Sequence, residues 1–265
     1  ENMEWTWDKF VEILEKVQQD TDNDGTVDIA GITMNNGVLY DAAVASNAGS
    51  YVNMENGKYV CTVDDPKTIE ALEWSMNTVH QKYGLVYPEG AEWDYYKQGF
   101  LNGEAVFMPE DAYCAGTNPD DGAHGWLKEM TDEFGFVCFP MGPNMTDYTN
   151  RLADNLVAIP ACYDDEKVWK LAFAYNLFTE TVPGFEDYSP RKAGYYDRFS
   201  DTDAVDKTIV RMMQNGTVTY EGIVPGLIGD DWNNNFAWAR NAGADTAALV
   251  EVAKGLIEAC LASAN

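Results

Sequence analysis

At 265 residues and 46% apolar composition the chain can bury a sizeable core, and at roughly 100 to 200 residues per domain it holds one or two domains. Its 44 acidic and 17 basic residues give a net charge of −27, which repels phosphate backbones and anionic membrane surfaces and argues against nucleic-acid binding. Five cysteines (Cys61, Cys114, Cys138, Cys162 and Cys260) include no CxxC pair, so neither a structural zinc site nor a thiol redox motif is written here.

Phe10, Ile13, Leu14 and Val17 recur at helical spacing, with Thr6 as cap and an Asp-rich turn as the stop. That turn, Asp20-Thr21-Asp22-Asn23-Asp24-Gly25-Thr26-Val27-Asp28, has oxygen ligands at alternate positions and glycine at the sixth, like the first nine positions of a calcium loop. The twelfth position, where such a loop needs a bidentate carboxylate, is Gly31, and Val27, Ile29 and Ile32 alternate like a strand. Two readings stand: a calcium site with ligands Asp20, Asp22, Asp24, Asp28 and the Thr26 carbonyl, or a bare Asp/Asn/Gly turn from helix to strand.

Asn56-Gly57 between apolar alternations predicts a hairpin. Asp65-Pro66 starts a helix carrying Ile69, Leu72, Met76, Val79 and Tyr83 as far as Gly84. Trp93, Tyr96 and Phe100 predict a helix stopped at Asn102-Gly103, followed by a strand over Ala105–Met108. Further strands are expected over Phe134–Phe139 and Leu156–Ile159, and further helices over Glu166–Thr179, about Asp203–Gln214, and from the Asp245-Thr246 cap along Leu249, Val252, Leu256, Ile257, Cys260 and Leu261. Between them, a loop with Gly184, Pro190 and Gly194 is expected. Strands alternating with helices predict an α/β fold, with too few strands for two complete doubly wound sheets.

Three blocks carry a resemblance: Trp5-Thr6-Trp7-Asp8-Lys9-Phe10; Phe100-Leu101-Asn102-Gly103-Glu104-Ala105-Val106-Phe107-Met108; and Gly135-Phe136-Val137-Cys138-Phe139-Pro140-Met141-Gly142-Pro143 followed by Asn155-Leu156-Val157-Ala158-Ile159-Pro160. In this order they resemble the carboxy-terminal portion of the extracellular solute-binding proteins of carbohydrate ABC transporters (solute-binding protein family 1, maltose-binding-protein-like). The resemblance implies a two-lobed, periplasmic-binding-protein type II-like α/β fold lacking much of the amino-terminal lobe. Residues 1–151 would form the main part of the second lobe, 152–203 belong to the first, and 204–265 return to the second. It also implies a non-catalytic, monomeric receptor that delivers a sugar to ABC transporter permease subunits from the periplasm or as a cell-surface lipoprotein. The start at Glu1, directly before a helix, reads as that of a mature or trimmed chain.

A sugar cleft wants aromatic faces flanked by carboxylates and amides. Carried over by position, Tyr113 falls at a stacking position with Glu110 and Asp111 beside it, and Trp232 at another, with Asp231 and Asn233 adjacent. Asp154 and Asn155 precede a presumed crossing strand. Trp93 and Trp238 serve equally as core residues. No cofactor is required, with calcium the one candidate ion. The alternatives are a binding protein for a peptide or polyamine, a glycoside hydrolase built on two of the many acids, or a calcium-dependent interaction module, which would call for a second Asp-rich loop. The sequence has no GxSxG, HExxH, P-loop or GxGxxG motif.

Overall fold

The computed structural model describes residues 3–35, 37–115, 125–152, 158–180, 182–184 and 190–264. Helix α1 (Trp7–Val17) starts where Thr6 Oγ1 accepts the Lys9 N–H, and buries Trp7, Phe10 and Leu14. The Asp-rich turn then reverses the chain into β1 (Ala30–Ile32), so the helix-to-strand expectation holds. The sequence reading did not foresee α2 (Val38–Ser46), which sinks Leu39, Tyr40, Ala43 and Val44 into the core.

The hairpin β2 (Val52–Glu55) and β3 (Lys58–Cys61) pairs Glu55 with Lys58. Its Asn56 and Gly57 take positive φ values of 50° and 77°, the backbone a two-residue turn requires. Asp65 caps α3 (Pro66–Glu73) by accepting the Lys67 N–H. The helical run continues through a π-wound stretch (Trp74–His80) into α4 (Gln81–Tyr83) and stops at Gly84 as predicted. Helix α5 (Tyr95–Leu101) leads into β4 (Ala105–Phe107).

β1 lies between two parallel neighbours. Ala30 and Ile32 pair with Ala105 and Phe107 of β4, and Ile32 also bridges Gly84, with Leu85 N donating to Ile32 O at 2.8 Å. Farther along, β5 (Asn150–Arg151) pairs in parallel with β6 (Gly216–Thr217). Between these two short strands lie α6 (Asp165–Thr179) and α7 (Pro190–Tyr196). After them come a π-wound stretch (Ala204–Ile209) continuing into α8 (Val210–Gln214), then α9 (Asp230–Trp232) and the last helix, α10 (Thr246–Ala264).

The main core joins α1, α2, α3 and α10 through side chains such as Leu14, Tyr40, Leu72, Phe236 and Ile257. A second cluster gathers Tyr96, Trp126, Phe199, Val205 and Ile209. Cys114 and Cys138 are buried, Cys61 and Cys260 partly so and Cys162 exposed, and all five are free thiols.

Three expectations need correction, and a fourth lies partly outside the described residues. Residues 134–139 form no ladder among the described residues: Phe134, Phe136 and Cys138 turn inward and Val137 outward, but no described strand pairs with them. Part of the strand expected over 156–159 lies outside the described residues, and residues 158–160 are irregular. Pro190 opens α7, where a loop was expected, because its fixed φ suits a first helical turn. On α10 the buried stripe is Leu249, Val250, Ala253, Ile257 and Leu261, while Val252 is exposed; the main core covers a face rotated from the one apolar periodicity alone suggests.

Candidate functional site

The carboxyl ends of parallel strands are where an α/β sheet opens to a ligand, because the chain leaves each strand there through a loop. Here Thr33 and Met34 follow β1, Met108 to Asp111 follow β4, and Tyr87 follows the Gly84-Leu85 bridge. Glu110 is half-buried beside Tyr96 and Asn35. Its Oε1 accepts the Asp111 N–H at 3.0 Å, while its Oε2 is buried with no hydrogen-bond partner. Burial pushes the Glu110 carboxyl above its ordinary range.

Tyr113 stands in a single turn of 3₁₀ helix (Ala112–Ala115). Burial raises its hydroxyl to about 12, and the charges of Glu110 and Asp111 add to the rise, so these three predicted residues form one group. Asp111 is exposed; its surroundings push its carboxyl up, and the positive charge of Arg151 pulls it back. From β5, Arg151 reaches two carboxylates, Asp41 on α2 and Glu221, each at 3.2 Å. Asp41 in turn holds Arg240, which is 3% exposed, at 2.7 Å, and the same guanidinium nitrogen meets the Tyr51 hydroxyl at 2.7 Å. Asp111 is thus coupled to the core through a chain of alternating charges, Arg151, Asp41 and Arg240.

The other predicted residues fall elsewhere. Trp232 is 5% exposed and packs edge-on to Tyr51 and against Phe236, so its ring belongs to the main core; a stacking role needs an open face. Asp231 beside it is exposed, and Asn233 is half-buried with its N–H bonded to Gly229 O. Asp154 and Asn155 lie outside the described residues. Sequence reasoning missed Asn35, Arg151 and Glu221 as members of this group, and the place of Tyr96 beside Glu110. The Asn35-Asn36-Gly37 turn was the available signal for the first; Tyr96 looked like one more apolar helix position.

In the Asp-rich turn, oxygens of Asp20, Asp22 and Asp28 lie within 4.8 Å of one another, a hard-oxygen set that suits calcium in kind. Asp24 instead accepts the Thr26 N–H at 2.7 Å, the Gly25 N–H donates to Asp20 Oδ2 at 2.9 Å, and the Thr21 N–H donates to Asp28 Oδ2 at 2.7 Å. Gly31, at the twelfth position, lies inside β1, so no bidentate carboxylate closes the loop.

No protein-family model matches the chain, and no curated protein matches it. Among solved structures it is similar to the maltose/maltodextrin-binding domain MalE from Bdellovibrio bacteriovorus bound to maltotriose, with a TM-score of 0.61 and 14% identity over 96% of this chain and 66% of that one. It is also similar to UgpB from Mycobacterium tuberculosis in complex with glycerophosphocholine, with a TM-score of 0.57 and 16% identity over 98% of this chain and 63% of that one. The chain therefore spans just under two thirds of the length of these neighbours. Its fold is that of the α/β periplasmic-binding proteins of type II.

Proposed function

We propose that this protein is a non-catalytic extracellular receptor that binds a sugar or oligosaccharide at the strand ends and delivers it to an ABC importer. The observation that carries the reading is the buried Oε2 of Glu110, which has no partner at full hydrogen-bond geometry although Asn35 and Tyr96 stand beside the carboxyl, set at the carboxyl end of a parallel strand in this fold. A buried acceptor without a partner is costly by about 1 to 3 kcal/mol, and a ligand hydroxyl that donates to it recovers that cost. Tyr113 supplies the ring for a sugar's C–H face, Glu110 and Asp111 take its hydroxyls, and Asp231 and Asn233 stand as outer polar contacts.

In this reading residues 1–151 and 204–265 make one lobe and 152–203 part of the other. The paired β5 and β6 are the crossing segments, and Arg151, clamped between Asp41 and Glu221, sets their position. Closure about such a hinge traps the solute, and the closed form is what a permease would recognise. The protein acts as a monomer in the periplasm or as a lipoprotein at the cell surface. Among the described residues no helix is long and apolar enough to cross a membrane.

A second reading, a cationic solute such as a polyamine or peptide, draws on the same pair of acids, Glu110 and Asp111, in a chain of net charge −27. Calorimetric titration separates the two. Saturable binding of maltotriose or a related saccharide without turnover is expected, weakened by about 1 to 3 kcal/mol in Tyr113→Ala. Binding of spermidine alone would replace the sugar, and release of reducing ends would overturn the receptor reading.

A further inference from the structure

We propose that a cavity of about 260 Å³ between residues 127–134 and the chain at Arg198 and Ser200 is a second binding site, for an α-amino acid with an apolar side chain. Its charged lining is Lys128, Asp132, Glu133 and Arg198. None of these side chains belongs to the group at Glu110, Asp111 and Tyr113. The one link is Ala115, which lines the cavity and ends the 3₁₀ turn that carries Tyr113.

Arg198 is the residue that calls for a guest. It follows α7, where its N–H donates to Tyr195 O at 3.0 Å. The next residue, Phe199, is 5% exposed and stacks on Phe136 at 5.0 Å, which pins this turn to the second core cluster. The Arg198 guanidinium lies over the Tyr195 ring at 4.9 Å, and its Nε is buried with no hydrogen-bond partner. A ring face attracts the cation but supplies no oxygen for the N–H. A charged donor buried in this way points to an acceptor that comes from outside the chain, and a carboxylate matches the guanidinium fork.

The rest of the lining selects the class of guest. Asp132 and Glu133 are exposed at the rim of the same cavity, yet neither reaches the Arg198 Nε. A simple anion would face these two carboxylates, and a simple cation would face Arg198. An α-amino acid satisfies both, with its carboxylate at Arg198 and its ammonium at the rim acids. Leu127, which is 5% exposed, and the half-buried Met130 and Phe134 form a wall for an apolar side chain. With a water's share of liquid volume at about 30 Å³, the cavity has room for roughly eight or nine waters, enough for a solute the size of leucine or methionine.

This site goes beyond the sugar reading of the strand ends and does not rest on it. Calorimetric titration of the native protein with L-leucine and L-methionine should give saturable binding. 4-Methylpentanoate, which lacks the ammonium, and leucinamide, which lacks the carboxylate, should each bind at least tenfold more weakly than leucine. Arg198→Gln, which removes the charge and keeps most of the stem, should lower leucine affinity at least tenfold, and so should the double variant D132N/E133Q. The two rim acids are exposed, so that variant guards against Arg198→Gln failing to fold. Tyr113→Ala should leave leucine binding in place. The proposal is overturned if neither amino acid binds the native protein, if 4-methylpentanoate or leucinamide binds as tightly as leucine, if either variant keeps the native affinity, or if Tyr113→Ala abolishes binding.

Discussion

Helices α6 and α10 both carry many apolar side chains and meet opposite fates. α10 buries Leu249, Val250, Ala253, Ile257 and Leu261 in the main core. Among the described residues α6 has no fully buried side chain: Trp169 is 63% exposed and Phe178 85%, with Leu171, Phe173, Tyr175 and Leu177 exposed as well. α6 is held by local devices. Asp164 accepts the Lys167 N–H at its start, Glu166 pairs with Lys170 at 2.5 Å, and the Trp169 and Phe173 rings stack one turn apart at 5.1 Å. An apolar helix is a demand for a surface, and what satisfies the demand lies elsewhere in the chain or in a partner. That difference accords with the proposed division of the chain, in which 152–203 belongs to another lobe.

The sharpest way to strain the comparison is to unbalance the packed side. Arg240→Ala removes the buried member of the Arg240–Asp41 pair, leaving Asp41 only Arg151 and the Tyr51 hydroxyl, and should cost about 3 kcal/mol, read as a fall in the urea midpoint. Ile257→Ala, on α10 itself, should cost about 2 to 5 kcal/mol by the same measurement.

The candidate site should behave oppositely to the core. Burial raises the Glu110 pKa, so the folded state holds its proton more tightly than the unfolded chain. Stability therefore falls as pH climbs from the unfolded value through the folded one. Glu110→Gln should remove that decline, gain about 1 kcal/mol at pH 7 and lose solute affinity, checked by melts across pH 4 to 8 and by calorimetry. A variant that loses stability at pH 7 would place Glu110 with the structural acids instead.

At the Asp-rich turn, which closes α1, EDTA should lower stability by about 1 kcal/mol at most, and Asp22→Ala should abolish the difference between calcium and EDTA melts. Smallest of all should be Phe178→Ala on α6, within about 0.5 kcal/mol, because its ring is already in water. A loss there comparable to that of Ile257→Ala would mean that α6 is covered in solution.

Most of the elements were legible because their signals are local. The Thr6 and Asp65 caps, the Asn56-Gly57 hairpin, the Gly84 stop and the Asp-rich turn each rest on residues within a few positions of one another. The grouping of Glu110, Asp111 and Tyr113 was legible for the same reason. What separates Trp232 from that group is burial against Tyr51 and Phe236, and no local pattern encodes it.

By itself, then, the sequence determined where helices and turns begin and end, an α/β alternation, and a compact run of acids and an aromatic after β4. Only the tertiary structure decided which face of α10 is buried, that residues 134–139 find no strand partner among the described residues, that Arg151 meets Asp41 and Glu221, and that Thr33, His80, Tyr87 and Asn241 line one cavity. Caps and turns depend on neighbours a few residues away. Burial and cavities depend on residues up to some 200 positions apart, Thr33 and Asn241 among them, which share a wall only after the chain has folded.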